Sequence, residues 1–276
     1  MRTFLLTLAL AAGLCFFVRA EAKPNIVLIL ADDLGYGDLH CYNPERGKIP
    51  TPNLDRLAAQ GMRFTDAHSS SGVCSPSRYT VLTGRYHWRS RLQSGIVGYL
   101  ENALIAPDRL TLASLLKQHG YHSACVGKWH LGWDWDFTPE QRPLLAPGRT
   151  KSPEATPAHQ KAWQKVYAKP IGGGPTTRGF DEYFGTDVPN WPPYCFIEND
   201  RTVGIPSEFL PARLFKDHLA SLGGPAVKDW QLEAILPSLT QRACDFITRR
   251  AAAQTPFFLY MPLTTPHTPL APGAEW

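Results

Sequence analysis

The sequence predicts an α/β fold built on a largely parallel central sheet, and three observations carry that prediction. Asn25–Ala31 and Phe257–Met261 are apolar without alternation, as strands buried on both faces are, and Tyr121–Val126 reads as a third strand that follows a helix. The segments between them carry helical spacing, and strands that alternate with helices are joined in parallel by crossovers. Each run also stops at a polar cluster: Asp32-Asp33 after the first, Lys128 and His130 after the second, His267 after the third. Ligand sites of open α/β sheets lie beyond the carboxyl ends of the strands, so the three clusters are expected to gather at one edge.

The helices follow from periodicity and punctuation. Pro52–Gln60 is expected to be helical, capped by Thr51 and stopped by Gly61. A second helix is expected over Leu110–Gln118, ending near Gly120, and a third over Ser238–Ala252, where Leu239, Ala243, Phe246 and Ile247 share a face. Trp133–Val227 is less patterned. Pro139–Pro157 reads as a proline-rich excursion, and Ile171-Gly172-Gly173-Gly174-Pro175 lacks the Gly-Lys-Ser/Thr of a phosphate loop and reads as a turn. Trp133, Trp135, Trp191 and Tyr194 suit stacking on sugar rings or packing in the core, with both readings open at this level.

Composition sets the frame. The chain has 276 residues, 43% hydrophobic, with 25 prolines, which suits one globular domain with long loops. Residues 1–20 read as a secretory signal peptide: a basic start, an apolar run from Thr3 to Val18, and a small-residue exit at Val18-Arg19-Ala20 or Ala20-Glu21-Ala22. The run is shorter than the ~20 residues that span a bilayer, so no stable membrane anchor is expected. Bulky Leu14 before Cys15 argues against a lipoprotein. Loss of residues 1–20 takes Arg2 and Arg19 and lowers the net charge from +4 to +2, which gives no reason to expect nucleic acid as a partner. The cysteines outside Cys74 and the leader (Cys41, Cys125, Cys195, Cys244) could pair or stay as thiols. No Asn-x-Ser/Thr sequon occurs, which favours a bacterial periplasm or exterior over a lysosomal setting.

The most informative stretch is Cys74-Ser75-Pro76-Ser77-Arg78, with Thr83-Gly84 after it. Ser69-Ser70-Ser71-Gly72 is loop-like, and Pro76 suits a first helical turn. Unpaired N–H groups and the helix dipole favour an anion there, and Arg78 adds a planar charge suited to a tetrahedral oxyanion.

Cys-x-Pro-x-Arg with the trailing Thr-Gly resembles the signature of the formylglycine-dependent sulfatases. Gly127-Lys128-Trp129-His130-Leu131-Gly132 resembles the second motif of that family. Thr51–Ala58 and Arg178–Gly185 are also similar, so the likeness runs from about Asn25 to the end. The resemblance implies an alkaline-phosphatase-like α/β sandwich and cleavage of sulfate esters of carbohydrates or aryl groups. It implies that a maturating enzyme oxidises Cys74 to Cα-formylglycine, whose hydrate attacks sulfur and then releases the sulfate. Asp32, Asp33 and the residue derived from Cys74 would hold Ca²⁺ or Mg²⁺. Arg78 would belong to the same site. Lys128 would bind the sulfate and the formylglycine hydroxyl, His130 would act as base, and His267 would bind sulfate and protonate the leaving oxygen. Asn190 is the nearest match to a substrate-binding serine or asparagine after Phe184-Gly185.

Family members continue past the histidine matched by His267 with an Asp-Asn or Asp-His pair, a lysine and a smaller domain. Residues 21–276 are therefore expected to be the N-terminal portion of a catalytic domain, with β-sheet edges and some apolar surface uncovered. Two other readings stand beside the sulfatase: a phosphate or phosphonate ester hydrolase on the same scaffold, and an inactive fragment that binds sulfated glycans.

Overall fold

A computed structural model describes residues 23–145, 155–211 and 221–274. The expected signal peptide and part of the Pro139–Pro157 excursion lie outside the described residues. In chain order the elements are strand β1 (Ile26–Asp32) and helices α1 (Pro52–Gln60), α2 (Cys74–Thr83) and α3 (Leu112–Gln118). Then come β2 (His122–Lys128), α4 (Arg142–Leu145), α5 (Pro157–Tyr167) and β3 (Glu182–Thr186). Short strands β4 (Ile197–Glu198), β5 (Arg201–Thr202), β6 (Glu208–Leu210) and β7 (Gly224–Ala226) lead to helix α6 (Ile235–Ala252) and strand β8 (Phe257–Pro266).

The main sheet runs β1-β8-β2-β3-β4-β5. Its first four strands are parallel, and β4 and β5 add an antiparallel edge. The two remaining strands, β6 and β7, form a separate antiparallel ribbon. Parallel strands need covers on both faces, and the sheet has them. Cys125, Tyr183, Phe258 and Tyr260 pack on one face with Tyr79 and Leu82 of α2 and Ala113 of α3. Ala124, Val126, Leu259 and Met261 pack on the other against Ile235, Leu239, Ala243 and Phe246 of α6. Those four α6 side chains are at most 3% exposed, and each stabilises the fold by roughly 1–3 kcal/mol through burial. The cover stops short of β1. Val27 and Ile29 stand in register with Leu259 and Met261 yet are 45% and 56% exposed.

The element boundaries refine the expectations at three places. Helix α6 begins three residues before Ser238, because Pro237 is tolerated in a first turn, where its missing N–H would have no partner. Helix α3 begins at Leu112, with Thr111 capping through a bond from the Ser114 amide. Thr51 precedes α1 as expected, but its hydroxyl donates to Asp55 and takes the His40 amide instead of capping the helix.

The Gly172–Gly174 segment is a turn, as its missing lysine suggested: Gly172 bridges to Asp134 and a short 3₁₀ helix, Pro175–Arg178, follows. Trp133 and Tyr194 are each 1% exposed and belong to the core. Cys41, Cys74, Cys125, Cys195 and Cys244 are all unpaired thiols.

Candidate active site

The carboxyl ends of β1, β2 and β8 converge as expected. Asp32 is the last residue of β1 and pairs in register with Pro266 at the end of β8, which sets His267 beside it. Lys128 is the last residue of β2 and so belongs to the strand rather than to the loop after it. Gly127 makes this possible. Its φ of +147° and a backbone so close to Pro262 that a Cβ would overlap the Pro262 carbonyl admit only glycine.

Cys74 opens α2 after the extended residue Val73, with Pro76 inside the first turn. Ser77 fixes the entry loop by donating its hydroxyl to the Ser71 carbonyl at 2.7 Å. Arg78, one helical turn after Cys74, lies on the same helix face. Its guanidinium donates to Asp32 Oδ1 at 2.9 Å and to the Lys128 carbonyl at 2.9 Å. Lys128 Nζ donates to Asp32 Oδ2 at 2.6 Å and lies 3.3 Å from Cys74 Sγ, and the thiol in turn lies 3.6 Å from Asp32 Oδ1.

Asp32, Arg78 and Lys128 are 4%, 2% and 0% exposed, so two buried cations share one buried carboxylate. Burial alone would raise the Asp32 carboxyl, but the Lys128 ammonium and the Arg78 guanidinium outweigh it and hold the group below its ordinary value. Burial pushes the Cys74 thiol up despite Lys128, so as an unmodified cysteine it is a protonated, unreactive group. Arg78 and Lys128 thus share Asp32 as their one hydrogen-bonded counter-charge, and the buried Asp187 carboxylate lies close enough to feel both cations.

His130 stands at φ +49° directly after this cluster. Burial first, then Lys128 and Arg78, push its imidazole well below the ordinary histidine value, so it is neutral. Nε2 lies 3.1 Å from the Val97 carbonyl, which can only accept, so Nε2 carries the proton. The lone pair is then on Nδ1, a buried nitrogen without a hydrogen-bond partner. His267 is nearer the surface, its Nε2 3.7 Å from an Asp33 carboxylate that is 56% exposed. Ligand-type atoms of Asp32, Cys74 and His267 lie within 4.8 Å of one another.

The structure thus brings Asp32, Cys74, Arg78 and Lys128 into one network, with His130 packed behind it and Asp33 and His267 at its rim. Asn190 is not among the partners of Asp32, Cys74 or Lys128; its carbonyl takes the Tyr194 hydroxyl and the Leu222 amide. Its neighbour Trp191 stands edge-on to His130 at 5.7 Å. The sequence did not point to three further supports. The Asp187 carboxylate accepts the His130 amide at 3.1 Å, Val97 fixes the imidazole, and the Ser75 hydroxyl accepts the Val97 amide at 3.0 Å. The only signal for Asp187 was its place immediately after a strand, at Thr186-Asp187.

A parallel α/β sheet that gathers a helix-start cysteine, two buried cations and a neutral histidine at the carboxyl ends of its strands has the make-up of a ligand site. The sulfatase family model matches residues 24–276, and the chain belongs to that family. It is 48% identical over 110 residues to an N-acetylgalactosamine-6-O-sulfatase of Bacteroides thetaiotaomicron, covering 40% of the chain and 21% of that protein. It is 33% identical to the N-acetylgalactosamine-6-sulfatase of Canis lupus familiaris, over 96% of the chain and 44% of that protein. Over 46% of the chain it is 46% identical to human arylsulfatase A, covering 24% of that protein. A solved structure from work on glycosaminoglycan metabolism by Bacteroides thetaiotaomicron superposes with a TM-score of 0.72 at 30% identity, over 92% of this chain and 54% of that one. A protein solved with a bound neocarrahexaose superposes at 0.56 and 26% identity, over 90% and 46%. The chain spans less than half the length of these curated relatives.

Proposed function

We propose that this chain carries the nucleophile-bearing part of a sulfuric-ester hydrolase that acts on sulfated carbohydrates or aryl sulfates outside the cytoplasm. The observation that carries this reading is the setting of Cys74, between Lys128 Nζ at 3.3 Å and Asp32 Oδ1 at 3.6 Å, with the Arg78 guanidinium on the same carboxylate. Lys128 and His267 bind the sulfate oxygens, and Arg78 holds Asp32 and the end of β2 in place for them. His130, neutral with its lone pair on Nδ1, accepts a proton on the nucleophile side. His267, at the rim, delivers a proton to the leaving alcohol oxygen. Asn190 is carried as a substrate contact because the adjacent Trp191 meets His130 edge-on.

The surroundings of position 74 fit formylglycine. A side chain ringed by an ammonium and a carboxylate suits an oxygen better than a raised-pKa thiol. Once formed by a maturating enzyme, formylglycine would supply a hydrated aldehyde oxygen as nucleophile. For a cation, Asp32 and Asp33 offer carboxylate oxygens of the right hardness, fewer than the six to eight that Ca²⁺ takes. Together with the residue at position 74 they would hold Ca²⁺ or Mg²⁺, which would polarise the sulfate.

The names of the relatives favour a sulfated sugar as substrate. The apolar N-terminal run supports export, and no helix among the described residues is long and apolar enough to cross a membrane. The test is mass spectrometry of the peptide containing residue 74, paired with turnover of an aryl sulfate beside the matching aryl phosphate. Sulfur lost from position 74 together with preference for the sulfate is expected. Turnover with Cys74 intact, or preference for the phosphate, would overturn the reading.

A further inference from the structure

Beyond the C-terminal end of α2 the chain reads Arg85-Tyr86-His87-Trp88-Arg89-Ser90-Arg91. Tyr86 and Trp88 stack on one another, ring centroids 4.2 Å apart and planes 10° apart, while 50% and 46% exposed. Large aromatics left in water as a pair are unusual for a surface loop and mark a place of contact.

The platform is rigid. Residues His87–Arg89 form a 3₁₀ turn whose end is tied by Ser90 Oγ to the His87 carbonyl at 2.6 Å. The Gln93 side chain donates to the carbonyls of Trp88 at 2.9 Å and Ser90 at 2.7 Å, and buried Leu92 pins the loop to the core.

The same segment is cationic. No acid occurs between Asp66 and Glu101. Arg91 is taken by Glu101 and the Asn102 carbonyl, but Arg85 and Arg89 form no ion pair among the described residues. Arg85 Nε and His87 Nδ1 are also enclosed without a hydrogen-bond partner.

We infer that Tyr86, Trp88 and Arg89, with Arg85 behind them, form a second binding site, for a sulfated polysaccharide chain, separate from the cleavage centre. The outer ring faces match the flat C–H face of a pyranose, and a free guanidinium makes paired hydrogen bonds to a sulfate group. Cys74 stands at the opposite end of α2, about 15 Å away at 1.5 Å per residue, so the site would hold the chain several sugars from the ester being cut. A single-stranded nucleic acid also offers flat rings and anions, but it stacks by π-faces along an extended groove, and here there is one pair. The inference rests on the sulfated-carbohydrate reading of the active site.

Affinity electrophoresis of the full chain tests it, with a sulfated galactosaminoglycan, the same polymer desulfated, and single-stranded DNA in parallel gels. The sulfated polymer should retard the parent chain selectively. Tyr86→Ala/Trp88→Ala and Arg89→Gln should each weaken retention on the order of ten-fold, in the range of lost aromatic stacking. Hydrolysis of a small aryl sulfate and the melting temperature should stay at parental values. Unchanged retention in the variants, or equal retention by DNA or desulfated polymer, would overturn the site while leaving the active-site reading standing. Selective retention without aryl-sulfate turnover would support the site and count against the proposed hydrolysis.

Discussion

Asp32 is one carboxylate between two buried cations, so removing it should destabilise the fold more than removing either partner. Asp32→Asn would leave Arg78 and Lys128, 2% and 0% exposed, without a hydrogen-bonded counter-charge. Breaking a buried pair in that way costs about 3–5 kcal/mol. Lys128→Met would leave Asp32 and Arg78 as a balanced pair at 2.9 Å and remove one charged hydrogen bond of 2.6 Å, worth about 1.5–3 kcal/mol. The difference is about 1–2 kcal/mol, or roughly 0.5 M in urea midpoint for a slope near 3 kcal/mol/M. Urea unfolding at pH 7 reads it directly.

Acid adds a second check. Asp32 has its folded pKa below 3.8, so its contribution is present above that value and is lost as pH falls through the folded pKa. Asp32→Asn should lack that acid limb. If Asp32→Asn proved as stable as the parent, or Lys128→Met unfolded first, the charge balance described for the pocket would be wrong.

Other expectations are as direct. Cys74→Ala should abolish aryl-sulfate turnover and leave the unfolding free energy within about 1 kcal/mol of the parent, since only a half-buried thiol is lost; retained turnover would refute the role of position 74. Gly127→Ala should destabilise by about 3 kcal/mol or more, because its Cβ has nowhere to go but the Pro262 carbonyl; a normal melting curve would refute that packing. Burial pushes the carboxyl of Asp187 up from 3.8 to about 6, so the parent loses stability as pH rises from the unfolded value to the folded one and no further above it. Asp187→Asn should therefore gain on the parent between about pH 4 and pH 6, and parallel pH–stability curves across that window would refute the shift. Chelator should lower activity of the matured enzyme reversibly; indifference would count against a cation at Asp32 and Asp33.

The parts of the fold that were legible are those whose signal is local. β1 and β8 announce themselves by continuous apolar runs and β2 by its place after a helix, and their polar ends follow at once. The span from Trp133 to Val227 did not announce itself. Its strands are mostly two or three residues long, too short for a period, and its order comes from contacts such as Asp134 with Gly172 and Tyr194 with Pro225.

The candidate site shows the same division. Cys74, Arg78, Lys128 and His130 sit in motifs, and the first three meet in one network. Asp187 and Val97 act through the backbone amide and ring nitrogen of His130, and nothing in the letters marks a carbonyl as a partner. Asn190 was placed by likeness alone, and its backbone carbonyl takes the Tyr194 hydroxyl and the Leu222 amide.

The burial of α2's first turns sets a timetable for the chain. Ser75, Pro76 and Arg78 are sealed inside, with Arg78 clasped to strand residues 46 and 50 positions away. An enzyme that reads Cys74-Ser75-Pro76-Ser77-Arg78 as an extended peptide would find most of those letters hidden once the sheet has closed over them. Under the proposed modification of Cys74, that chemistry would race folding: delay in closing β1 and β2 around this helix would give the modifying enzyme time, and rapid closure would lock the thiol in unconverted.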